Sequence, residues 1–256
     1  MKPINPFLLI SGIGMILVGA IPIIYWWKKK NVSIKYFALG ALLWSVAIAA
    51  KILTAITLTP FVPALPIILG IYVGLRTGIF ESGFTYLAAL KTKLKEIKPD
   101  HAIAFALGFG GVEAILLGIS SFLTVLLFLL MPDMLTQIPE AQREAIVQQL
   151  NQSSLVIPAP IIERISALAI HLFSTILVFL SIRQSRFSLL IASILYKTVA
   201  DAPIPIFRAY IDMQTLQAVY LIETFYVGLA IVGIAGLRWS LGKWRQVENA
   251  KGNHHS

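Results

Sequence analysis

Long apolar runs alternate with short polar connectors along the whole chain. Seven of them, at approximately 6–27, 36–58, 63–90, 102–131, 159–182, 187–206 and 214–237, are candidates for membrane spans. Crossing a hydrocarbon core of roughly 30 Å as a helix takes about 20 residues, and each run is of that order or longer. A spanning strand needs only about ten residues and alternates apolar with polar positions, which these runs do not. The pattern predicts an all-α, polytopic transmembrane bundle that occupies residues 1–243 as a single domain, with 244–256 as a disordered tail.

The polar connectors carry an orientation. Lys28, Lys29, Lys30 and Lys35 follow the first run, and Lys91, Lys93, Lys95 and Lys98 the third. Arg183 and Arg186 follow the fifth, and Arg238, Lys243, Arg245 and Lys251 the seventh. With seven spans all four clusters share one side, while the other holds only Lys2, Arg143 and Arg208. The positive-inside rule then puts the N-terminus outside and the C-terminus in the cytoplasm.

Composition agrees with a multi-pass protein of the cell membrane: 57% of the 256 residues are hydrophobic and only 13% charged. The net charge of +9 is a topological signal and a contact for anionic lipids, the expected partners, and not a nucleic-acid footprint. The chain has no cysteine, which excludes disulfides and thiolate metal sites. The first run ends in Tyr25-Trp26-Trp27 and is too long for a cleaved signal, so it is expected to stay. In the longest connector, 132–158, Pro139 and Glu140 start a short helix with Ile146, Val147 and Leu150 on one face. It is read as a solvated connector, with a lid on the membrane surface as the alternative.

Lys51, Arg76, Glu81, Glu113, His171, Lys197, Asp201 and Glu223 fall inside the runs. A charge at mid-span costs on the order of 2.5–3.5 kcal/mol, so these side chains are expected to face inward and pair across helices. Lys197 and Asp201, four apart on one face, are the expected local pair. Glu81 is flanked by Gly78, Ser82 and Gly83, and Glu113 by Gly108, Gly110, Gly111 and Gly118, which permit close helix approach. His171 shares a face with Ser174 and Thr175. Glu163 and Arg164 follow Pro158 and Pro160 and read as a structural pair at a helix start, where an acid suits the positive end.

Two glutamates and a histidine in an apolar bundle can activate water, hold a metal or relay protons. One intramembrane histidine without an HExxH pattern argues against a metal, and His101, His254 and His255 lie at a basic loop and in the tail. No cofactor is expected. The segments GLRTGIFESGFTY at 74–86, GFGGVEAILLG at 108–118, ERISALAIHLFST at 163–175 and LYKTVADAP at 195–203 together resemble the YhfC family of glutamic intramembrane proteases, distant relatives of the CAAX prenyl endopeptidases. The similarity runs in matching order over roughly 40–237.

The resemblance implies a peptidase centre with Glu81 or Glu113 as base, His171 as oxyanion or proton donor and Asp201 positioning a partner. Arg76, Lys197, Glu163 and Arg164 are candidate binding residues beside it. Four positions depart from the family pattern. Ser82 and Thr85 stand where a second glutamate and an arginine belong, Phe109 replaces a histidine, and Lys197 replaces another four residues before Asp201. The chain is thus expected to be an intramembrane peptidase with partly lost motifs, or a pseudoprotease that binds or escorts a membrane-protein or peptide client. A third reading, a small proton-coupled transporter using Lys51, Arg76, Glu113 and Asp201, lacks the internal symmetry common in such carriers.

Overall fold

The computed structural model describes residues 4–212 and 215–252. Its α-helices are α1 (Leu8–Lys30), α2 (Ile34–Leu58), α3 (Pro66–Gly78), α4 (Phe84–Lys91), α5 (Pro99–Leu130), α6 (Glu140–Leu150), α7 (Pro158–Arg183), α8 (Phe187–Asp201), α9 (Pro203–Tyr210) and α10 (Leu216–Gly252). Among the described residues, seven helical segments are long and apolar enough to cross a membrane. They are Leu8–Lys30, Ile34–Phe61, Pro66–Lys91, Pro99–Leu130, Ser154–Arg183, Phe187–Tyr210 and Leu216–Asn249. The all-helical, seven-span bundle expected from hydropathy is the fold. Lys2, His254 and His255 lie outside the described residues.

Two spans are interrupted. In the third, a π turn at Ile79–Gly83 joins α3 to α4. In the sixth, α8 gives way to α9 at Ala202-Pro203, where proline supplies no N–H to the preceding turn. Asn31, in the left-handed region at φ 48°, closes α1 before α2; asparagine tolerates that conformation better than a branched residue would.

α5 and α7 form the centre. α1 and α2 pack on α5, α8 and α10 on α7, and α3 lies against α8. Glycines set the closest crossings, because association within lipid depends on backbone approach. Gly12 and Gly19 of α1 meet Gly118 and Gly111 of α5, a spacing of seven on both helices. A Cβ at Gly40 or Gly108 would run into the backbone of Phe105 or Phe37 across the α2–α5 crossing.

Along α3, Gly70, Gly74 and Gly78 face the carbonyl oxygens of Ala202, Thr198 and Ile194, so two four-residue periods run side by side. This stripe draws the polar face of α3 onto that of α8. Gly74→Val is therefore expected to force the helices apart and lower stability by about 1–3 kcal/mol, read by thermal unfolding in detergent. Gly228→Ala, in open space, is the control; equal behaviour of the two variants would show that the crossing is not held by its glycines.

Two expectations need correction. The chain beyond Trp244 is not disordered over the described residues: α10 continues to Gly252, and Trp244 is 1% exposed in a cluster with Ile97, Ala102 and Leu180. The 132–158 connector is not merely solvated. Leu135 and Leu150 join Leu8, Val125 and Phe128 in a buried cluster, so α6 is docked across the ends of α1 and α5.

Candidate functional site

The glycine stripe on α3 leads directly into the polar centre. Directly after Gly78 the helix widens, and the π turn carries Glu81 into the bundle; single π turns inside helices often mark functional positions. Thr85 Oγ1 donates to the Glu81 carbonyl at 2.7 Å. Ser193 donates to the Ser174 carbonyl at 2.8 Å, which leaves its oxygen to accept from Ser82, also at 2.8 Å. These hydroxyls tie α4, α7 and α8 together around the acid.

Glu81, Glu113 and His171 open onto one chamber of about 360 Å³, walled elsewhere by residues such as Trp44, Ile170 and Tyr226. Lys51 Nζ donates to Glu81 Oε1 at 2.7 Å, and Lys197 Nζ donates to Glu81 Oε2. Lys197 also reaches His171 Nδ1 at 2.8 Å and lies over the Phe109 ring, 4.9 Å from its centroid. His171 Nε2 is 2.9 Å from Glu113 Oε2. An ammonium group can only donate, so Nδ1 accepts and Nε2 carries the proton that Glu113 receives.

Glu113 is held from two further sides. Arg164 donates to its Oε1 at 2.6 Å, and the Trp44 indole donates to its Oε2 at 2.9 Å. Arg164 also pairs with Glu163. Three cations thus meet three carboxylates around one imidazole, and each oxygen of Glu81 and Glu113 already takes a hydrogen bond from a protein donor.

The expected Lys197–Asp201 pair does not form. Lys197 reaches across to the acid on the π turn, while Asp201 Oδ2 accepts from Thr77 at 2.6 Å. Both α8 side chains point at the third span, and in a low-dielectric interior the nearest complementary group on the facing span wins over a neighbour on the same helix. Glu163 and Arg164 do not cap a helix start, because α7 begins at Pro158 and both lie beyond its first turn. They line the chamber, as does Asp201. Arg76 does not: it stays half-buried with its guanidinium 5.2 Å from the Tyr72 ring centroid. Trp44 and Thr77 were not foreseen as site residues, and their only sequence signal was a polar hydrogen among apolar neighbours.

The geometry defines a helical membrane protein with an ion-paired chamber inside its bundle. The sequence profile of the family described as YhfC intramembrane metalloprotease matches residues 14–226, and the chain belongs to that family. The protein described as "Uncharacterized membrane protein YhfC" from Bacillus subtilis (strain 168) is 29% identical over 244 residues, covering 89% of this chain and 94% of that relative. No solved structure matches the chain. Together with the seven apolar spans, these matches make it a multi-pass membrane protein.

The family's description implies a metal, and the donor set here does not fit one. Among the described residues, no group of three or more histidine, cysteine, aspartate or glutamate side chains is placed to hold a metal ion. Zinc binds an imidazole lone pair and carboxylate oxygens, commonly three or four in all. In this centre the imidazole lone pair and both Glu81 oxygens face ammonium groups.

Proposed function

We propose that this chain is a non-hydrolytic member of its family, a pseudoprotease that holds a membrane-embedded polypeptide segment in the chamber without cutting it. One observation carries the reading. Lys197 lies between Glu81 and His171, filling the only imidazole lone pair, while His171 spends its proton on Glu113. A general base needs a free lone pair within reach of a water, and here the imidazole has none. The basic connectors support an orientation with the lysine-rich end of the bundle in the cytoplasm.

A second reading rests on a different distance. Glu113 and His171 are 2.9 Å apart, and the Glu113 side chain is 19% exposed beside the chamber. That dyad would serve a metal-independent peptidase if Lys197 withdrew from Nδ1. Purified protein reconstituted with a library of membrane-spanning peptides separates the two. The expected result is intact peptide, retained by the protein and recovered uncut whether or not zinc is added. Cleavage that falls about 100-fold or more in Glu113→Gln and His171→Ala would establish the peptidase instead. Failure to retain any peptide would remove the binding reading.

A further inference from the structure

A second cavity, of about 420 Å³, lies under the docked connector that includes α6. It is a separate space, but Glu163 lines both it and the central chamber. On its far wall stands Glu223 of α10, only 7% exposed, whose Oε2 has no hydrogen-bond partner. Among the described residues lining this vestibule there is no lysine, arginine or histidine. Arg164 supplies its charge to Glu163 and Glu113, on the chamber side.

A carboxyl group taken out of water without a donor carries a large desolvation penalty. Around the central chamber Glu81, Glu113 and Glu163 each pair with a protein cation, whereas the vestibule leaves Glu223 Oε2 without a donor. The complementary group is a donor with positive charge that enters from outside. Ser121, Thr124, Gln149 and Gln152 add hydroxyl and amide groups to the same lining, suited to the peptide units on either side of such a donor. A phospholipid amine would bring its phosphate against two carboxylates with no cation to receive it.

We infer that the vestibule is a binding site for a primary ammonium group borne by a peptide, either a lysine side chain or a free amino terminus, with Glu223 as its acceptor and Glu163 as the second carboxylate. The site is distinct from the ion-paired chamber and does not depend on whether the chamber cleaves.

The test uses full-length protein in nanodiscs and two small probes, N-acetyl-lysine methylamide and its uncharged isostere N-acetyl-norleucine methylamide, with binding read by saturation-transfer NMR. The lysine probe is expected to bind and the norleucine probe not to compete with it. Glu223→Gln, which keeps the shape, should weaken the lysine probe about tenfold or more, as loss of a buried charge partner does. Ser121→Phe should block it by filling the cavity, and Gly228→Ala, in open space, should leave it unchanged. Equal binding to Glu223→Gln, an equal loss through Gly228→Ala, or no binding to the wild-type protein would each overturn the assignment. Capture of phosphoethanolamine in place of the lysine probe would assign the site to a lipid headgroup and overturn it too.

Discussion

Replacing Glu81 with alanine is expected to destabilise the bundle more than any other single change at the centre, by about 3–5 kcal/mol. The substitution removes the one group that Lys51 and Lys197 share, and leaves two ammonium groups facing each other in the interior. Most of that cost is the exposure of uncompensated charge, not the lost attraction of the pairs. Combining it with Lys197→Met should therefore restore part of the stability, since the remaining cation, Lys51, is 16% exposed and nearer to water. Equilibrium unfolding in mixed micelles measures all four corners of the cycle. If Glu81→Ala is neutral within about 0.5 kcal/mol, the typical effect of an inert surface change, the ion network does not hold the centre together.

Lys197→His is expected to turn the centre into a divalent-cation site. The change removes the ammonium from Nδ1 of His171 and from Oε2 of Glu81, and brings in a second imidazole, giving three protein donors. Glu113, still bonded to Nε2, would orient the first imidazole from behind. Zinc at a hundredfold excess over its dissociation constant then adds about 2.7 kcal/mol to the stability of the variant. Cobalt should give visible absorption in the variant, and His171→Ala should abolish both effects. The wild-type protein is expected to melt at the same temperature with zinc and with a chelator. Zinc-dependent stabilisation of the wild type would show that its lysine does not take the cation's place.

Hydropathy made the spans readable because lipid imposes a length on each helix, and the cost of an isolated charge made the gathering of Glu81, Glu113 and His171 readable for a similar reason. Which charges pair was not. The four-residue rule joins Lys197 to Asp201 on one helix, but the α3–α8 crossing offers each a partner across the interface. Nothing in the residues 79–83 announces a π turn, and without it Glu81 cannot be aimed. Arg164 was legible as a binding residue, but the two prolines before it suggested a structural pair at a helix start and gave no sign of its bond to Glu113. The helical extension past Trp244 escaped notice because its polar composition resembles a tail, while a single buried indole anchors it.

The wide turn at Ile79–Gly83 has a bearing on how the third span can be edited. An α-helix advances about 100° per residue, so the extra residue accommodated there shifts the phase of everything that follows. Thr85 and Ala89 are turned inward while Leu87 and Leu90 stay half-exposed. Excising one residue from 79–83 would let the turn heal into regular helix and swing the segment Phe84–Lys91 by that angle, presenting the leucines to the bundle. Chimeras, deletions and helical-wheel comparisons should accordingly handle Pro66–Gly78 and Phe84–Lys91 as two cylinders with separate registers.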